Sequence, residues 1–137
     1  VAALRRQRME EVMATAGDAL TRVARGGPFS EENLREFTVA EAALRDGVRA
    51  RTLTELDGVE KATRDARLRG VAVTLLDDRG EPGLSAEESA EVRRATVAAL
   101  AGAAAGETLT VRLLPPDRAE TATIVVESVA GIRRSTI

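Results

Sequence analysis

Thr108-Leu109-Thr110-Val111-Arg112-Leu113, then Pro115-Pro116-Asp117-Arg118, then Thr121-Ala122-Thr123-Ile124-Val125-Val126: these three segments decide the fold. The first alternates strictly, so Leu109, Val111 and Leu113 share one face of a strand. The second turns the chain. The third reads as the antiparallel partner of the first. Upstream, Ser85 with Glu88 three places on forms a capping box and opens a helix predicted to run to Ala105. Gly106 supplies the left-handed residue on which helices commonly end. Within this helix Val92, Ala99 and Ala103 are expected to face the sheet. Leu100 is expected at the boundary, with Glu91, Arg94 and Ala98 outward.

Working outward, Val71-Ala72-Val73-Thr74-Leu75-Leu76 is a strand. It is apolar on both faces, which predicts a central or well-covered position. A short helix precedes it, Gly58 to Arg69, with Val59, Ala62 and Ala66 on one face and Gly70 as its stop. Thr52 to Asp57 is a linker anchored by Leu53 and Leu56. Ser128 to Ile137 shows no clear period and reads as a tail or a truncated fourth element.

The N-terminal part has a different rhythm. From Ala2 to Arg25, Leu4, Met9, Val12, Met13, Ala16, Leu20 and Val23 recur at three- and four-residue steps. Gly26-Gly27-Pro28 ends this helix. Ser30 then caps a second one, about Glu31 to Arg51, with Glu31 and Glu32 in its first turn and Phe29 placed to staple onto Leu34. Leu34, Phe37, Leu44 and Val48 hold one side. The short link predicts an antiparallel hairpin. Such a hairpin has no interior. Its stripes must meet the rest of the chain, or a second copy across a two-fold axis in a four-helix bundle.

The expected fold class is α+β: a helical hairpin over 1–53, then a small α/β two-layer domain over 54–132 with three or four mixed or antiparallel strands, and a tail over 133–137. The expected dimer interface is Met9, Val12, Met13, Ala16, Leu20, Val23, Leu34, Phe37, Leu44 and Val48.

Composition removes several kinds of chemistry. The 137 residues include no Cys and no His. Thiolate nucleophiles, disulfides, zinc–thiolate sites and histidine bases are therefore excluded. Phe29 and Phe37 are the only aromatics, which leaves no stacking platform for nucleic acid. A net charge of −2 gives no electrostatic footprint for it either. No apolar run or signal pattern suggests membrane insertion, so the expected compartment is the cytoplasm. The chain starts without Met, inside a helical pattern, and is expected to be a fragment. One Lys among many Arg, with abundant Ala, fits a GC-rich bacterial genome.

Few motifs carry chemistry. Asp77-Asp78 at a strand end has the placement of a metal or substrate ligand in open α/β sheets, but no other ligand cluster accompanies it, and turn chemistry in Asp77-Asp78-Arg79-Gly80-Glu81-Pro82-Gly83 is the favoured reading. Glu127-Ser128-Val129-Ala130-Gly131 follows a strand, where an acid could read an amino group and a Gly could allow close backbone approach. An ordinary strand exit is the structural alternative. Asp46, beside Gly47 within a helix, is a carboxylate in reach of acid–base work but has no evident partner in the sequence.

The order of elements resembles the front half of the ATP-binding domain of sensor histidine kinases, the family shared with gyrase and Hsp90. The resemblance runs from about Val59 to Ile132. It rests on Ala66-Arg67-Leu68-Arg69-Gly70-Val71-Ala72-Val73, on Glu91 to Leu100, on Leu109 to Leu113 and on Ile124 to Ile132. Upstream, Ala40-Glu41-Ala42-Ala43-Leu44-Arg45-Asp46-Gly47-Val48 is similar to the phosphoacceptor box of that family. The resemblance places weak nucleotide-binding positions at Glu127 and Gly131.

This sequence also departs from the family. Arg45 stands where the phosphoacceptor His would be, and a guanidinium charged at every accessible pH cannot accept a phosphoryl group as His does. No Asn lies between Ser85 and Ala105, where the family carries its metal-binding Asn. Arg45 and Gly70 are too close for the family's second long dimerisation helix. The family's later Gly-rich lid does not fall within residues 1–137.

The implied function is a non-catalytic signal-transduction module that dimerises through its helices and meets a protein partner, with no cofactor and no metal. A structural stalk like those of rotary ATPases, with a helical arm on a compact end, is the alternative. A fragment of a nucleotide-binding kinase is a third.

Overall fold

The structure is a computed structural model that describes residues 6, 7, 9 to 11, 13, 14, 17 and 30 to 137. The chain divides into two compact units, residues 1–48 and 49–137.

In the first unit, the described residues from Arg6 to Gly17 are helical. The helix α1 spans Glu31–Arg49. The Ser30 hydroxyl accepts the Asn33 N–H at 3.1 Å, which satisfies one of the orphan donors of the first turn. Glu31 and Glu32 sit at the positive end of the helix dipole. The expected staple by Phe29 lies outside the described residues. The expected continuation to Arg51 does not occur. Ala50 breaks the helix at φ −130° and ψ 46°, and a separate turn, α2, covers Arg51–Thr54. Ala50 and Leu53 are both fully buried in the core of the second unit. Burying that pair is worth more than one further helical hydrogen bond, so packing overrides helix propensity.

The second unit continues with α3 (Val59–Leu68), β1 (Ala72–Asp77), α4 (Ala86–Gly102), β2 (Thr108–Leu113), β3 (Ala122–Ser128) and β4 (Gly131–Thr136). The strands form one mixed sheet in the order β1-β2-β3-β4. β1 and β2 are parallel, and the other two pairs are antiparallel. The Pro-Pro turn is present, closed by Arg118 N–H donating to the Pro115 carbonyl at 3.1 Å. α3 stops in a Schellman motif. Gly70, at φ 96°, donates to Arg67, and Val71 donates back to Ala66 at 3.0 Å.

One sheet face meets the helices. Val73 and Leu75 of β1, Leu109, Val111 and Leu113 of β2, and Ala122 and Ile124 of β3 form the core with Leu53, Ala66, Val92 and Leu100. The cross-strand pairs Leu109–Val126, Val111–Ile124 and Leu113–Ala122 give the register. This is the two-layer arrangement that the alternation in β2 predicts.

Several expectations are corrected. Residues 133–137 are not a tail. Residues up to Thr136 lie in β4, and Ile137 exchanges hydrogen bonds with Ala122 and accepts the Thr121 N–H. Every residue of β4 is exposed. A strand held by its backbone ladder rather than by apolar burial carries no hydrophobic period. The domain boundary falls before Arg49 rather than after Leu53. β1 is an edge strand, not a central one. Ala72, Thr74 and Leu76 face away from the core. The outward carbonyl of Val73 is covered by the Arg67 guanidinium at 2.8 Å, a protected edge.

α4 ends at Gly102, not Ala105. Ala103 turns to extended backbone and is buried, and the Ala104 N–H is taken by the Glu107 carboxylate at 2.6 Å. Gly106, at φ 88°, serves the turn into β2 instead. Val92 and Ala103 are buried and Glu91, Arg94 and Ala98 are exposed, as expected. Leu100 is fully buried at the centre of the helix face rather than at its boundary, with Thr96 one turn before it.

Candidate functional site

Val12, Ala16, Leu20 and Val23 of the expected dimer interface lie outside the described residues. Of the others, Leu34 is 49% exposed, Val48 76% and Met13 60%. Met9, Phe37 and Leu44 are half-buried. Leu34, Phe37, Leu44 and Val48 repeat at helical spacing and so share one stripe of α1. Of the residues that α1 buries, Ala40 falls within that stripe, between Phe37 and Leu44, while Val39 and Asp46 lie off it. The stripe meets water at its two ends, Leu34 and Val48, and is buried or half-buried between them, at Phe37, Ala40 and Leu44. The methyl group of Met9 is 3.9 Å from where a Cβ on Gly47 would sit, an ordinary van der Waals contact that a Cβ would make without a clash.

The segment similar to a phosphoacceptor box lies on α1. Arg45 points to solvent and pairs with Glu41 one turn back at 3.3 Å. An exposed pair of this kind contributes about 0–1 kcal/mol. Asp46, next to it, is buried.

Glu127 and Gly131 are brought together, but as parts of a hairpin. Ser128 pairs with Gly131 across a two-residue turn, Val129-Ala130, and Glu127 pairs with Ile132. The Ser128 hydroxyl accepts the Ala130 N–H at 3.2 Å. Gly131 has φ 134°, which side-chain-bearing residues rarely adopt. A Cβ there would meet nothing within 4 Å, so backbone conformation accounts for this glycine. The Glu127 side chain lies on the sheet face opposite the helices and is exposed.

A polar cluster forms where β1 ends and α4 begins. Asp77 accepts the Arg79 N–H at 3.0 Å, an Asx turn, and Asp78 pairs with Arg112 of β2. Both carboxylates are thus used in closing the loop. The Arg79 side chain is almost wholly buried and reaches the Glu88 carboxylate at 3.2 Å. Glu88 also accepts the Ser85 N–H at 3.0 Å and the Thr121 hydroxyl at 3.3 Å. Its carboxyl is held below the ordinary carboxylate range, chiefly by the Ser85 backbone N–H. Desolvation opposes this, while the Ser85 hydroxyl, the Arg79 charge and the Thr121 hydroxyl reinforce it.

The capping box announced Glu88 in the sequence, but nothing local announced Arg79 or Thr121, which reach it through the fold. The cluster is a clasp for the β1–α4 loop. Among the described residues, no group of three or more Asp, Glu, His or Cys side chains gathers as a metal site requires. Among the same residues, no helix is long and apolar enough to cross a membrane.

Comparison of the chain with protein-family models, with curated proteins and with solved structures finds no match.

Proposed function

We propose that this chain is a non-catalytic signal-transduction module of the degenerate sensor-histidine-kinase kind, working as a homodimer joined through its helices. One observation carries the proposal: the stripe of α1 presents Leu34 and Val48 to water at 49% and 76% exposure. A large apolar side chain left exposed forfeits about 1.5–3 kcal/mol of burial, and repetition along one helix turns single losses into a patch. A second copy across a two-fold axis recovers that burial with the same residues on both sides. The signal would be a change in how the paired helices pack, a class of motion available to bundles.

The non-catalytic half of the proposal is supported by what occupies the family's working positions. Arg45 is engaged with Glu41 on the helix surface. Gly131 serves a hairpin, and Glu127 stands exposed on a strand. α4 carries no Asn to anchor a metal-bound triphosphate. The test is a paired measurement on the purified chain. Calorimetric titration with Mg-ATP should give no saturable heat, and light scattering should give the mass of two chains. Micromolar ATP binding would replace this reading with that of a kinase fragment.

A further inference from the structure

We draw no further inference here: the strongest candidate, the sheet face opposite the helices in the second unit, with Thr74, Thr110, Val125 and Arg134 in one cross-strand row, carries nothing because nothing in the structure shows what covers it.

Discussion

The guanidinium of Arg69, at the end of α3, donates to the main-chain carbonyl of Leu100 in the last turn of α4 at 2.6 Å. The same nitrogen lies 3.1 Å from the Ala103 carbonyl. The final carbonyls of a helix have no partner within it, and they form the negative end of its dipole. One side chain from α3 thus satisfies the end of α4 and fixes the two helices side by side over the sheet. Arg69→Met keeps the aliphatic stem and removes the donors. It should cost about 1–2 kcal/mol in urea denaturation. Arg69→Lys should recover part of the loss, and an unchanged midpoint for Arg69→Met would show that water caps α4 equally well.

Thr96 makes an opposite prediction. Its residue is fully buried, and its hydroxyl has no hydrogen-bond partner among the described residues. A buried hydroxyl left unpaired costs about 1–3 kcal/mol. Thr96→Val preserves the shape and removes the polar atom. It should leave stability unchanged or raise it by about 1 kcal/mol. A clear loss would mean that the hydroxyl is bonded, to a water or to the preceding turn.

The faces of α4 can be checked by a pair of substitutions. Leu100 is fully buried and Glu91 is exposed. Leu100→Ala should cost about 2–5 kcal/mol, because the atoms removed leave a cavity under the sheet. Glu91→Ala should stay within about 0.5 kcal/mol. Equal melting temperatures for the two variants would mean that the helix is rotated from the orientation described.

Glu88 links the loop clasp to pH. Its carboxyl is held below the ordinary range in the folded chain, with the Ser85 N–H as the main cause. The unfolded chain therefore binds the proton more readily. The stability that Glu88 contributes is fully present above the unfolded carboxylate value of about 4.3, and it is lost as pH falls through the lower folded value. Glu88→Gln should be less stable than the parent at neutral pH, and the gap should close on acidification. Urea midpoints at about pH 7 and about pH 3 test this. A gap that widened in acid would reverse the sign and contradict the clasp.

Much of the second unit was legible because each local signal agreed with its neighbours. Alternation in β2, the turn at Pro115-Pro116 and the capping box at Ser85 all pointed to one two-layer arrangement. The misses have a common physical source. α4 is rich in Ala, so its faces differ little in apolarity, and Leu100 and Thr96 could not be ranked. β1 reads as apolar on both sides, yet Leu76 looks outward at an edge, where the sheet tolerates it. β4 has no apolar period because it buries nothing. Ala50 and Leu53 are drawn away from the helix before them by a core assembled from residues far along the chain. At the candidate site, Ser85 and Glu88 were visible as a local pair. Arg79 and Thr121 were not, since only the closed loop brings them there.

The central claim is self-association through the helical face, and light scattering on the unmodified chain at micromolar concentration tests it most directly. Leu34→Glu combined with Val48→Glu is the matched control. Both side chains already meet water, so the variant should fold, which its circular dichroism would verify. In a dimer the substitutions would bring four like charges into one bundle. The account predicts the mass of two chains for the parent and of one chain for the variant. A parent mass of one chain, or a variant that remains a dimer, would contradict it.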